Sequence, residues 1–587
     1  MITGLYLKKG LITVCVWLCV STLAWAETPQ YEVEISAPTT VKALLQAHLD
    51  MMKWRDNARM NHTEWQRLYA LAPQNIKELL TTEGYFSPTI GSSMEHQNNN
   101  HIAKFSVDIG QPALVNQINI RFTGDINALS AESKPNINTL RDSWLLKKGQ
   151  IFRQNDWTEA KQKLLAGVVV ERYPNASVTI SKAEVNPDTQ SVDLSVEIDS
   201  GPEIRFGDTT IEGLKRYSPS VIENLNPIKP GRIYKQSALL TFQTRLQESG
   251  YFQSVEVSVE TQNASQINAS YVAPIKVKVV ENRRINTEVG AGFSTNTGTR
   301  AQVTVTDLSL FNMDWRLTSN LKVDRLTQRF TNEVKLPKTK SGYRDSIIAN
   351  IGNSNIENVK VTIAQSGVKR AWGTRKLDQY VSASLLMENS SVDNADVENL
   401  YTATVGYGIT LRRTDNDNNP KLGYLLNLQF TGAPITSNNS FFLQSHLRVQ
   451  GYYPFSNSTQ FIARAEIGLV NGRNQAPELF KFRAGGDQSV RGYSFQSLGV
   501  TVGDATAGGR YLATGSVEIV QWLTPQWGAA IFVDAGNAAD SLKDLEPVYG
   551  YGLGARWKSP LGPIGADIAY GAEVDDYRLH FNIGLVF

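Results

Sequence analysis

The chain has 587 residues, too many for one hydrophobic core, so several domains of roughly 100–200 residues are expected. It carries 58 basic and 56 acidic residues; Lys8 and Lys9 account for the whole surplus, which excludes an electrostatic nucleic-acid binder. Both cysteines, Cys15 and Cys19, lie near the N-terminus, so the remainder has no disulfide framework, thiolate metal site or cysteine nucleophile.

Lys8 and Lys9 precede an apolar run, Leu11 to Ala24, and then Ala24-Trp25-Ala26, an A-x-A cleavage site. Residues 1–26 therefore read as an export signal, cut after Ala26. No later stretch approaches the about 18 apolar residues of a membrane helix.

Residues 27–284 mix helical and strand patterns, and they repeat. Gly110-Gln111-Pro112 leads into QINIRFTG; some 90 residues later Gly201-Pro202 leads into EIRFGDTTIEG. Gly149-Gln150-Ile151-Phe152 returns as Gly231-Arg232-Ile233-Tyr234, each before a predicted helix, Trp157–Val170 and Ser237–Ser249. Gly84-Tyr85-Phe86 and Gly250-Tyr251-Phe252 each close a predicted helix, where a left-handed cap suits glycine. The order is strand, helix, helix, strand, strand, three times over.

Residues 285–587 are almost all strand and turn. Tyr401, Ala403, Val405, Tyr407, Ile409 and Leu411 alternate with smaller or polar partners; Phe461 to Leu469 set an apolar face against Arg464 and Glu466. Such alternation fits a soluble sandwich or a membrane barrel. The export signal, some 300 residues without clear helices, and aromatics near strand ends (Tyr452, Tyr453, Trp522, Trp527) favour the barrel. The final run alternates Leu579, Phe581, Ile583, Leu585 and Phe587 with polar residues and glycine, as a strand would that closes on the first one, expected at Thr287–Ser294.

Four stretches then resemble the BamA/TamA superfamily of outer-membrane assembly proteins. Phe482-Arg483-Ala484-Gly485-Gly486 followed by Ser489-Val490-Arg491-Gly492-Tyr493 is similar to the superfamily's inward-folding loop with its VRGY/F tip. Ile531 to Gly536 matches its F-x-D-x-G strand; Gly554 to Pro563 and Phe581 to Gly584 complete the set. The resemblance implies a signal peptide over 1–26, three periplasmic α+β POTRA domains (27–111, 112–202, 203–284), and a transmembrane antiparallel β-barrel of about 16 strands over 285–587. Three repeats, and GSVEI at Gly515–Ile519, resemble the TamA type most. That type implies an outer-membrane factor without cofactor that helps autotransporters and other β-barrel clients insert. It works with a TamB-like partner anchored in the inner membrane. Phospholipid transport to the outer membrane with the same partner, and a dedicated two-partner-secretion pore, are the alternatives.

Within the resemblance, Val490, Arg491, Gly492 and Tyr493 form the loop tip, with Gly485 and Gly486 at its root. Asp534 shares the lumen parity of its strand, so Arg491 and Asp534 are expected to pair with two-pronged geometry. Glu518, Arg556 and Asp567 also fall on lumen parity and read as members of a broad charge network, while His580 would face the lumen of the last strand and reads as a lone structural histidine. Val289 and Gly290 of the first strand, with Ile583, Gly584 and Phe587 of the last, make the expected lateral seam. Glycine at 584 weakens pairing and permits a kink. An opened seam offers a strand edge to an incoming strand. H-E-x-x-H, G-x-S-x-G and phosphate-loop motifs are absent from the sequence, which argues against an enzyme, and no catalytic or metal residue is assigned.

Overall fold

The computed structural model describes residues 30–57, 59–97, 100–127, 137–267, 270–417, 419–438, 440–473, 476–559 and 562–586. The export signal with Ala24 and Ala26, and Phe587 of the seam, lie outside these residues. The chain divides into two compact units. One holds the first two repeats, with Ile233–Gln236 and Ala264–Val272 of the third; the other holds the rest of the third repeat and the barrel.

The first repeat shows the construction. Its long helix, His62–Thr82, starts where the Asn61 side chain accepts a hydrogen bond from the Glu64 N–H (2.9 Å). Trp65, Leu68, Ala72, Ile76 and Leu80 recur at helical spacing on one face, and all are buried. They cover a three-stranded sheet whose central strand, Asn100–Asp108, contributes Ala103, Phe105 and Val107 to the same core. That strand runs parallel to Gln30–Ser36 and antiparallel to Thr89–Gln97. The second repeat copies the plan with Ser191–Asp199 between Leu114–Thr123 and Ser177–Asn186. The third places Ser270–Glu281 between Ile204–Glu212 and Phe252–Val259. In each repeat the last strand in sequence fills the centre of the sheet, leaving the first strand on an edge. The predicted helices begin slightly earlier than expected, at Gln154–Val169 and Gln236–Glu248.

Sixteen antiparallel strands close the barrel, from Ile285–Ser294 to Asp576–Val586. Alternation sorts side chains between two solvents. In the thirteenth strand, Trp527–Ala539, Ile531 and Val533 are each 54% exposed on the outer face, while Phe532 and Asp534 are 3% and 0% exposed inside. The wall is uneven. The first four strands have 10, 10, 9 and 9 residues, close to the minimum of about 9–11 for crossing a bilayer. The seventh and eighth, Leu377–Val392 and Glu398–Thr414, have 16 and 17. Trp527 stacks on Trp557 (5.3 Å between ring centroids) on the outward parity of their strands, as an interfacial aromatic belt requires, whereas Trp522, on the inward parity of Glu518, holds the Lys558 ammonium 3.5 Å from its ring centre.

Candidate functional site

The segment between the eleventh strand, Thr459–Arg473, and the twelfth, Tyr511–Trp522, folds back into the lumen. Its root is fastened first. Glu388, fully buried on the seventh strand, accepts the N–H groups of Glu478 (2.7 Å) and Leu479 (3.0 Å). Arg483 donates to the carbonyls of Ile356 (3.0 Å) and Thr506 (3.2 Å). Gly485 N–H then donates to Ser489 Oγ (2.8 Å) and Gly486 N–H to the Val490 carbonyl (3.1 Å), a tight turn that presents the tip.

At the tip, Arg491 is 2% exposed, and carboxylates surround it. Its Nε and Nη2 donate to the two oxygens of Asp534 (2.7 and 2.9 Å), and its backbone N–H adds a third bond to the same carboxylate (3.0 Å). Nη1 donates to Glu518 (2.9 Å) and Asp567 (3.0 Å). The guanidinium lies over the Phe532 ring, 3.3 Å from its centroid. Arg556 completes the cluster, donating from Nε and Nη2 to Glu518 (2.8 Å each) and from Nη1 to Asp567 (2.5 Å). Two cations thus meet three carboxylates, with the guanidinium forks satisfied in the manner a buried ion cluster requires.

The fit depends on absent side chains. Gly550, Gly552 and Gly554 share the inward parity of the fourteenth strand, Val548–Ser559. A Cβ at Gly550 would lie 1.9 Å from the Arg491 carbonyl oxygen, so any other residue would lift the tip off the wall. Gly492 has φ +97°, and a Cβ there would meet the Gly571 nitrogen at 2.7 Å. Val490 is fully buried, and the Tyr493 hydroxyl donates to the Tyr549 carbonyl (3.2 Å) while accepting the Glu573 N–H (3.1 Å).

The expected pairing of Arg491 with Asp534 is present in two-pronged form. Glu518, Arg556 and Asp567, read from sequence as parts of a diffuse network, instead converge on Arg491. His580, read as an isolated lumen residue, accepts the Gly492 N–H at Nε2 (2.9 Å), which fixes that nitrogen as unprotonated. Asn296, in the turn after the first strand, donates to Asp487 of the loop (2.6 Å). The loop therefore grips both sides of the seam, the last strand through His580 and the first hairpin through Asn296. No sequence signal pointed to Asn296 or Glu388, because each acts across a register that only the closed barrel creates.

At the seam, Gly290–Ser294 pairs with Asn582–Val586, five residue pairs, against ten between the first and second strands. Gly292 stands opposite Gly584, so this pair has no side chains to hold it. Gly290 faces Val586, and Ile583 faces Phe293. Val289 and Ile583, grouped at the seam from sequence, are not partners; four residues of strand, about 13 Å, separate Val289 from the residue opposite Ile583. Val289 pairs on its other side with Val303 and is 52% exposed.

Comparison with known proteins places these features. The Omp85 superfamily domain matches residues 249–587, and the POTRA family, described as a surface antigen variable number repeat, matches residues 204–282. The chain is 24% identical over 429 residues to the outer membrane protein assembly factor BamA of Nitratidesulfovibrio vulgaris, covering 68% of this chain and 53% of that protein. It is 22% identical over 527 residues to BamA of Neisseria meningitidis serogroup B, covering 75% and 64%. It thus spans between half and two thirds of these curated relatives. The crystal structure of Haemophilus ducreyi BamA lacking POTRA domains 1–3 superposes with a TM-score of 0.67 at 16% identity, covering 81% of this chain and all of that one.

Proposed function

The chain belongs to the Omp85 superfamily, with its barrel in the outer membrane and POTRA repeats in the periplasm, and on that premise we propose that it is an assembly factor acting by strand templating, without catalytic chemistry. The seam carries this reading. Five paired residues, a facing pair of glycines and short flanking strands make it the weakest join described in the wall. Residues Ile285–Glu288 of the first strand have no described partner on the last strand, so the first strand offers backbone donors and acceptors on one side. Unpaired groups facing lipid are costly, and an incoming strand that pairs with them removes that cost. Clients are then other β-barrel proteins, autotransporters among them, and folding of the client supplies the energy.

All three repeats are read as POTRA domains. Each leaves its first strand on a sheet edge, the kind of surface that accepts an extended segment. This is the surface on which a TamB-like, inner-membrane-anchored partner of the TamA type would dock. The Arg491 cluster serves as the latch: it ties the loop to the twelfth, thirteenth and fifteenth strands while Asn296 and His580 hold the two lips of the seam.

The test is in-cell photo-crosslinking from Glu288, with and without a seam locked by Phe293→Cys and Ile583→Cys, residues the register sets face to face. Capture of C-terminal strands of nascent barrels from the open protein, lost on locking, is the expected result. Capture of one secreted protein, unaffected by the lock, would show a dedicated pore instead.

A further inference from the structure

A cavity of about 510 Å³ lies between the last turn of the third repeat's helix, Gln236–Glu248, and the mouth of the barrel at the third to seventh strands. On the barrel side, Arg344 and Ser346 of the fifth strand, Arg344–Ile356, stand beside Lys369 and Ala371 of the sixth, Val359–Gly373. Lys369 shares the parity of buried Ile363, and Asp378 of the seventh strand that of buried Glu388. The hollow therefore faces the lumen at the end nearest the repeat, not the lipid. Six cations line it, and two are neutralised: Arg344 pairs with Asp378, and Lys335 with Glu333 (3.2 Å). Asp345, on the outward parity, is taken by both prongs of Arg370 (2.8 Å each). Arg245, Arg316, Lys338 and Lys369 form no ion pair with a described residue, and among the described lining residues Glu248 is the one carboxylate left to face them.

Donors here outnumber acceptors. Arg316 donates from Nη2 to the Ser249 carbonyl, while its Nε is buried without a hydrogen-bond partner among the described residues. Lys369 only overlies the Tyr380 ring (4.5 Å). Lys338 sits on the turn between the fourth and fifth strands. Burial, and the positive charges of Arg245 and Arg344, hold its ammonium below the ordinary lysine range despite Glu248. Like charges gathered from a helix, a turn and a strand repel one another unless an anion enters between them. Four cations against one carboxylate leave a surplus of three charges, more than a second carboxylate would offset, which suits a dianion. Guanidinium forks match the oxygens of a phosphate. Val221 and Leu225, on the repeat's side, leave an apolar flank for a carbon skeleton, and the volume is that of a small-molecule site.

We propose that this cavity binds a small soluble phosphomonoester, its phosphate held by Arg245 of the third repeat and by Lys338 and Lys369 of the barrel, so that the ligand ties the repeat to the barrel mouth. The site lies away from the seam and does not rest on strand templating there. The experiment titrates the full-length protein, in neutral detergent and phosphate-free buffer, with glycerol 3-phosphate by calorimetry. Hydrogen exchange of residues 236–248 and 336–343 is followed in parallel. Saturable binding with protection of both segments is the expected result, and acetate at equal ionic strength should give neither. Lys338→Gln and Arg245→Gln should each weaken binding about tenfold. Lys340→Gln, on the same turn but outside the lining, should leave it unchanged. Each variant should keep the gel mobility of a folded barrel; if one misfolds, Lys369→Gln supplies the same test. Absence of saturable binding, equal action of acetate, or equal loss in Lys338→Gln and Lys340→Gln would overturn the proposal, the last two showing mere screening of a basic surface. So would binding of phosphatidic acid that glycerol 3-phosphate does not displace, which would show a lipid site, or tighter binding of an acidic peptide, which would show a polypeptide surface.

Discussion

In the first repeat Trp65 is fully buried while Glu64 and Arg67, one and two residues away, pair in water (2.6 Å). In the barrel Ile531 and Val533 face outward and Arg491 is sealed inside. One sequence thus follows two opposite rules of solvation, and the consequence is where each region keeps its specificity. The repeats keep theirs in apolar packing, which tolerates change on the charged surface. The barrel keeps its own in a polar cluster, where each member depends on the rest.

The contrast is sharpest if Arg491 is removed. Arg491→Met should leave Asp534, Glu518 and Asp567 buried with one cation between them, a loss of about 3–5 kcal/mol. Heat-modifiable mobility on gels and protease cutting within residues 476–510 would report it. Arg491→Lys should recover little of the loss, since an ammonium cannot make the two-pronged bond. Trp65→Ala should cost about 3–5 kcal/mol in the first repeat and nothing in the barrel, which hydrogen exchange resolved by region can separate. Gly492→Ala should cost about 1–3 kcal/mol through its positive φ and the contact with Gly571, read in the same gel assay.

A smaller effect should appear with pH. His101, buried beside the rings of His96 (4.4 Å between centroids) and His62 (4.7 Å), is held below the ordinary histidine range by burial and by those two neighbours. The unfolded chain therefore binds the proton more readily. The first repeat should be at full stability above about pH 6.5 and should lose it as pH falls through the lowered value. Hydrogen exchange of Asn100–Asp108 at about pH 7.5 and about pH 5.5 should show this, and His101→Phe should flatten it. Smallest of all, Glu64→Ala should leave the melting temperature unchanged, because the pair it breaks is solvated.

The legible part of this molecule was what repeats locally. Alternation revealed the strands and their faces, glycine-aromatic pairs marked the ends of helices within the repeats, and the loop and strand motifs pointed to Arg491 and Asp534. Parity could place Glu518, Asp567 and Arg556 inside but not at one height. Height follows from register, such as Ser516 beside Asp534 and Gly554 beside Asp567, and register depends on turns whose lengths parity does not weigh. The inward stripe of Gly550, Gly552 and Gly554 was invisible for the same reason: its meaning lies in what another segment lays on it. At the seam the first strand began two residues earlier than expected, at Ile285, and Ile583 met Phe293.

The order of strands in each repeat bears on synthesis and export. Because the last strand fills the middle of its sheet, a repeat stays incomplete until its C-terminal strand has emerged, and then finishes with contacts drawn from within its own length. The barrel has no such early stopping point. Its closing pair joins the two ends of the whole barrel sequence, so the loop-closure entropy is met once, at the end. A chain delivered N-terminus first would present finished repeats while its barrel was still an open sheet, so the soluble arm would mature before the part that anchors it.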